Sequence, residues 1–243
     1  IESIKYAYSN IYREFIKDYE PNNFLPEKID QRNLFKKIIK ISNLYFSFYN
    51  SETNKRLDIL KNFNIKIHIG KITQIVGHSG SGKTTFLDLL AKLYRPNKGE
   101  ILFDEKNINK IDEEIIRKKI GYVTQNCSLF EGSVKENIIL DKNFIKRKLT
   151  EIMDICDLQN IKSNKLITDG GKNLSGGEVK RISLARVLYQ DPEIIFIDET
   201  FASIDEKSEK KIINKLRKKR FTVILISHRE SSKKYVDKVI YIN

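Results

Sequence analysis

Gly77-His78-Ser79-Gly80-Ser81-Gly82-Lys83-Thr84 is the stretch on which the fold turns. The apolar run Ile72-Thr73-Gln74-Ile75-Val76 leads into it, and Thr85-Phe86-Leu87-Asp88-Leu89-Leu90 continues with a helical pattern. Strand, glycine turn and helix start form the setting that a phosphate-binding loop requires. The glycines let successive backbone N–H groups face phosphate oxygens, and the helix N-terminus adds partial positive charge. Lys83 has the reach for the β- and γ-phosphates, and the Thr84 hydroxyl can ligate Mg2+. The alternative is an ordinary Gly/Ser turn. Four positions matching at fixed spacing in this context argue against it.

Upstream, Ile4, Tyr8, Ile11, Tyr12, Phe15 and Tyr19 form a stripe at helical spacing, which predicts an amphipathic helix over residues 1–20. Pro21 and Pro26 stop it and Asn22-Asn23 reads as a linker. Alternation of Leu44, Phe46 and Phe48, and of Phe63, Ile65, Ile67 and Ile69, predicts strands before Gly70 turns the chain. Gly99–Phe103 reads as another strand, Asp112–Lys119 as a helix, and Ile120–Val123 as a strand ending in Thr124-Gln125. Residues 133–170 lose the strand pattern and read as helical. From Ser175 the pattern alternates: helix 175–190, strand Ile194–Ile197, helix 206–219, strand Thr222–Ile226 and strand Lys238–Ile242. Strand–helix alternation predicts a parallel sheet covered by helices.

A length of 243 residues suffices for one large domain or a domain with a subdomain. The chain begins at Ile1 rather than Met, so it is expected to continue a longer polypeptide. No stretch approaches the ~18 apolar residues of a membrane span, and no signal peptide is evident. Cys127 and Cys156 stand apart without metal-type spacing, which suits a reducing setting. The net charge of +13 raises a nucleic-acid reading. The basic residues are scattered, however, and a bias toward Ile, Asn and Lys explains the charge as well. No nucleic acid is therefore expected as a partner; an anionic membrane surface is another candidate.

Ile194-Ile195-Phe196-Ile197-Asp198-Glu199 is an apolar strand ending in two carboxylates. Ligands of open α/β sheets bind at the carboxyl ends of strands. Asp198 is placed to hold Mg2+ or its waters, and Glu199 to orient and deprotonate an attacking water. Ser175-Gly176-Gly177 opens a helix and presents free N–H groups to an anion. The S-x-x-E spacing of Ser175 and Glu178 also predicts a capping box.

With Leu174-Ser175-Gly176-Gly177-Glu178, Gln125, Asp198-Glu199 and His228, the phosphate loop resembles the nucleotide-binding domain of ATP-binding-cassette proteins over about residues 39–243. The fold this implies is α/β: a P-loop NTPase core of mostly parallel sheet flanked by helices, an N-terminal antiparallel β subdomain, and a helical subdomain at about 127–174. Residues 1–38 would be an amphipathic helix and linker from an upstream transmembrane part. The resemblance implies ATP and Mg2+ as cofactors. Nucleotide contacts would come from Gly77, Ser79, Gly80, Ser81, Gly82, Lys83, Thr84 and Thr85, with Ser175, Gly176 and Gly177 closing over the ATP of a second nucleotide-binding domain. Gln125 would sense Mg2+ and the attacking water, and Thr84, Gln125 and Asp198 would serve the metal. Glu199, His228 and Gln125 would form the catalytic set. Phe48 matches the aromatic that stacks on adenine, although Tyr is usual there; Tyr49 and Tyr45 remain alternatives. Asp205 falls on the dimer-contact loop. Two departures stand out: Glu178 where Gln is usual, and Ala202 where a hydroxyl is common.

Phe130–Ile138 and Ser227-His228-Arg229 resemble exporter-type cassettes, and Thr168-Asp169-Gly170-Gly171 resembles the exporter loop that touches transmembrane coupling helices, with Asp169 in place of the usual Glu. The leading expectation is an ATPase domain that powers export, on the cytoplasmic side of a membrane, with a transmembrane domain in the same polypeptide and an identical or different second nucleotide-binding domain. The alternatives are a soluble ATPase for iron–sulfur assembly or nucleic-acid maintenance, and an importer subunit. Glu178 keeps the iron–sulfur reading open. Only 92 positions separate Lys83 from Ser175, too few for the long coiled coil of chromosome-maintenance ATPases.

Overall fold

A computed structural model of the chain describes residues 34–50 and 55–242. The helix expected at 1–20 and its Pro21–Pro26 linker lie outside the described residues. Leu34 and Phe35 are buried against the β-rich half, with the Phe35 ring 4.6 Å from Phe103.

Strands β1 (Ile38–Asn50) and β2 (Lys55–His68) pair antiparallel, with Ile39 opposite Ile67 and Ile41 opposite Ile65. The register slips between Ile41 and Leu44, where Asn43 adopts a positive φ of 49° and its N–H donates to Asn64 Oδ1 at 2.8 Å. Asparagine tolerates the left-handed region better than most residues, so the bulge falls there. β2 begins eight residues before the alternation at Phe63 does, because its exposed first half is mostly polar and shows no period of two.

Strand β3 (Ile72–Val76) feeds the glycine loop and helix α1 (Lys83–Leu90). Strands β4 (Lys98–Phe103) and β5 (Lys106–Asn107) return to the antiparallel sheet, ordered β2-β1-β4-β5. Helix α2 (Glu113–Lys119) is capped by Asp112, whose side chain accepts from the N–H of Glu114 at 2.7 Å, and leads into β6 (Ile120–Val123). Acidic residues in its first turn and basic ones in its last suit the helix dipole.

Between residues 127 and 174 lie β7 (Gly132–Ser133), α3 (Val134–Ile139), α4 (Lys146–Ile155) and β8 (Leu166–Ile167). The expectation that strands vanish here is corrected by the β7–β8 pair. Two residues per strand are too few for alternation to register in the sequence. Helix α5 (Gly176–Tyr189), β9 (Ile194–Asp198), α6 (Glu206–Lys218), β10 (Thr222–Ile226) and β11 (Lys238–Tyr241) complete the chain.

The second sheet is parallel throughout, in the order β11-β3-β10-β9-β6. Its central strands are apolar on both faces, as helices covering a parallel sheet demand. Alternate residues divide between two cores. Ile195, Ile197, Val223 and Leu225 pack with α4, α5 and α6, while Ile194, Phe196, Ile224 and Ile226 pack with α1 and the antiparallel sheet. The carboxyl ends of β3, β6, β9 and β10 therefore finish along one edge, carrying Gly77, Thr124-Gln125, Asp198-Glu199 and Ser227-His228.

Candidate functional site

The loop after β3 is shaped by close approach. A Cβ on Gly77 would lie 2.3 Å from the carbonyl oxygen of Ile242 and 2.5 Å from Ser81 Oγ, so only glycine fits. Gly82 caps α1 at φ 88° and offers no side-chain cap, which leaves the first-turn N–H groups of α1 without a side-chain partner. Lys83 is 6 % exposed, and its ammonium folds back on its own loop, donating to the carbonyls of Gly77 at 3.0 Å and His78 at 2.7 Å. Ser81 Oγ is buried with no partner among the described residues. A glycine cradle, open helix donors, a curled-in lysine and an orphan hydroxyl fit an anionic phosphate chain.

Thr84, one residue into α1, ties this loop to β9: its Oγ1 donates to Asp198 Oδ2 at 2.9 Å. Burial pushes the Asp198 carboxyl above the usual carboxylate range. The Thr84 bond and Lys83 oppose the shift, and neighbouring Glu199 adds to it. A hydroxyl and a carboxylate are hard oxygen donors of the kind Mg2+ takes.

Glu199 sits at φ 47°, ψ 12°, a left-handed backbone that costs a non-glycine residue about 1–2 kcal/mol. Its N–H donates to the carbonyl of Ile226 at 3.1 Å, which locks the end of β9 against the end of β10. Both carboxylate oxygens are engaged. Gln125 Nε2 donates to Oε2 at 3.2 Å, and His228 Nε2 lies 2.9 Å from Oε1. Three strand ends thus converge on one carboxylate.

Phe48 is 37 % exposed, and its ring stands perpendicular to those of Phe46 and Tyr94, with centroids 4.9 Å and 5.3 Å away. A partly exposed aromatic ring offers apolar surface on which another ring can stack. Tyr49 is more exposed than Phe48, and Tyr45 is half-buried opposite Lys98.

The structure brings together Thr84, Gln125, Asp198, Glu199 and His228 through hydrogen bonds. Ser175, Gly176 and Gly177 lie outside this set, at the start of α5, where Gly176 and Gly177 approach Ser203 and Ile204. The capping box is complete: the Ser175 N–H donates to Glu178 Oε2 at 2.7 Å, and the Glu178 N–H to Ser175 Oγ at 3.2 Å. Partial burial works against ionisation of Glu178, but the bonds from Ser175, with Lys165 and Arg181 nearby, hold its carboxyl below the usual glutamate range.

Sequence reasoning missed four contributors. The Tyr122 hydroxyl donates to Asp88 Oδ1 at 3.3 Å, and burial pushes Asp88 up to about 6, with the Tyr122 bond opposing and Asp198 adding to the shift. Asp88 lies four residues after Thr84, on the same helix face, and that spacing was the available signal. Lys180 Nζ donates to the carbonyl of Gln125, which ties α5 to the segment after β6. Arg229 is the fourth.

These features define a phosphate-loop site at the carboxyl edge of a parallel sheet, and comparison with known proteins narrows the class. The family model described as ABC transporter matches residues 60–202. The chain belongs to that family, as an ATP-binding domain of the kind that hydrolyses ATP. A Rickettsia typhi protein named for export as an ATP-binding/permease protein is 38% identical over 215 residues, covering 84% of this chain and 37% of the relative. The lactococcin-G-processing and transport ATP-binding protein LagD of Lactococcus lactis is 32% identical over 221 residues, covering 87% of this chain and 31% of the relative. A bacterial Atm1-family ABC exporter solved with ATP bound superposes with a TM-score of 0.78 at 24% identity, covering 97% of this chain and 42% of that one; it shows the fold. The chain spans about a third of the length of the curated relatives it matches. Among the described residues no helix is long and apolar enough to cross a membrane.

Proposed function

We propose that this chain is the ATP-hydrolysing domain of a membrane exporter. On this reading it acts on the cytoplasmic side, joined through residues 1–38 to a transmembrane domain in the same polypeptide. The observation that carries the catalytic part is the Glu199 carboxylate, held between Gln125 and His228 beside the Thr84–Asp198 pair. The exporter part is supported by relatives named as export ATP-binding/permease proteins.

Lys83 and the N–H groups of residues 79–85 bind the phosphates of ATP, and Phe48 carries the adenine. Thr84 and Asp198 hold Mg2+, with Gln125 completing its surroundings. The metal, when bound, supplies charge that offsets the negative charge growing on the transferring phosphate. Glu199 accepts the proton of the attacking water on a carboxylate oxygen, Gln125 orients that water, and His228 holds Glu199 and meets the γ-phosphate. Ser175–Gly177 sits outside the cluster of its own chain and presents an open helix start, so it serves the nucleotide of a second domain. The capping box turns Glu178 toward backbone donors of its own helix start.

Glu199→Gln tests the reading, because an amide cannot take the proton. ATP binding is expected to persist while turnover falls ~10²–10⁴-fold, and trapped ATP should drive dimers visible by sedimentation. Lys83→Ala is expected to weaken ATP binding itself. Undiminished turnover in Glu199→Gln would remove Glu199 as the base.

A further inference from the structure

Arg229 follows His228, and its guanidinium reaches two places at once. Nη1 donates to Glu209 Oε2 at 2.7 Å, and Nη2 donates to the main-chain carbonyl of Ala202 at 2.9 Å. Ala202 lies in the turn that Glu199 opens, its own N–H donating to the Glu199 carbonyl at 3.2 Å. One arm of Arg229 therefore holds the turn on which Glu199 adopts a left-handed backbone. Such a conformation persists only where the surroundings over-determine it.

The anchor for the other arm is Glu209 of α6, 1 % exposed, which takes a second bond from Ser232 Oγ at 2.5 Å. The peptide around His228 is fixed from the β3 side as well. Gln74 Nε2 donates to the carbonyls of Ser227 at 3.0 Å and Arg229 at 3.4 Å, and the Arg229 N–H donates to Ser227 Oγ at 3.2 Å.

We propose that Arg229 is a positioning residue that ties the loop carrying His228 to the turn carrying Glu199, so that the scaffold sets their 2.9 Å contact. Left to themselves, a half-exposed imidazole and a partly exposed carboxylate hold each other weakly. The planar guanidinium fork spans Glu209 and Ala202 together. A lysine ammonium is a single compact charge and cannot reproduce that fork. The inference rests on Glu199 being the base and His228 its partner.

The test is steady-state ATP hydrolysis by Arg229→Lys, with Glu199→Gln alongside. Arg229→Lys keeps a positive charge for Glu209 but gives up the second arm. Turnover is expected to fall about ten- to a hundredfold through misplacement, with KM for ATP within about twofold and thermal stability little changed. In nucleotide-free protein the ring signals of His228, one of three histidines, should move in the NMR spectrum as the Glu199 contact loosens. A second variant covers the case in which Arg229→Lys does not fold. Glu209→Leu with Arg229→Met replaces the ion pair by apolar groups of similar volume, an exchange proteins often accept without loss of stability. It also removes the hold on Ala202, and the same fall in turnover is expected.

If Glu199→Gln is inactive while Arg229→Lys turns over at the wild-type rate with unmoved His228 signals, the inference fails and the base assignment stands. If Glu199→Gln turns over normally, the assignment beneath it fails. Parallel losses of ATP affinity and stability in Arg229→Lys would make the residue structural and overturn the proposal.

Discussion

Two helices of this chain start with the same box. Ser133 and Glu136 close the start of α3, and Ser175 and Glu178 close the start of α5, each serine accepting from the N3 N–H and each glutamate accepting from the serine N–H. At α3 the chain also satisfies the next donors, since the N–H groups of Val134 and Lys135 reach the carbonyls of Lys165 at 2.9 Å and Ser163 at 2.7 Å. Ser133 is buried, and Glu136 Oε2 accepts from both its N–H and its hydroxyl. At α5 the following residues are Gly176 and Gly177, and Ser175 is exposed. One box is closed by its own chain and the other is left open toward solvent. The local motif is the same; what differs is whether tertiary structure consumes the neighbouring donors.

The largest expected effect separates the two boxes directly. Ser175→Ala removes a cap and a hydroxyl at the open start, and turnover is expected to fall by at least about tenfold, a scale typical of losing one donor to a developing charge. ATP affinity of the monomer should hold, because the loop at 77–84 is untouched. If Ser175→Ala leaves turnover intact, the open box is no more functional than the closed one, and the comparison collapses.

Ser133→Ala should do the opposite, costing about 1 kcal/mol of stability and leaving turnover within about twofold. A pH series sharpens the point. The bonds from Ser133 hold the Glu136 carboxyl below its usual range. Its folded-state pKa is depressed, so its contribution is present above the unfolded value and fades as pH falls through the folded one. The thermal-stability gap between wild type and Glu136→Gln should therefore be open near neutrality and close in acid. A gap that widens in acid would contradict the assignment.

The two boxes also show what a sequence discloses. Much that is local was legible: the glycine loop, the acidic end of β9, the S-x-x-E spacing of Ser175 and Glu178 and most strands of the parallel sheet. Tertiary consumption of donors was not, since nothing near Val134 announces that Lys165 and Ser163 will meet it. The same holds for Arg229, whose partners Glu209 and Ala202 lie 20 and 27 positions away. Their pairing depends on α6 packing against the segment that follows β10. The first half of β2 stayed hidden because an edge strand with polar residues on its exposed part carries no alternation.

The smallest expected effect concerns Glu178 itself. A carboxylate near the γ-phosphate of a partner's ATP would repel it, so a glutamate here looks harmful beside the usual glutamine. The structure points the group elsewhere: Oε2 accepts from the Ser175 N–H at 2.7 Å, with Lys165 and Arg181 nearby. The positive helix end also favours the carboxylate, by roughly 0.3–1 kcal/mol where exposed. Glutamine can accept the same bond without the charge. Glu178→Gln is therefore expected to change stability by less than about 1 kcal/mol, measured by denaturant unfolding, and to leave turnover within a fewfold. A tenfold or greater rise in turnover, about 1.4 kcal/mol off the barrier, would mean that the carboxylate faces the nucleotide during the reaction. The α5 box would then have to open before hydrolysis, a step the α3 box has no reason to take.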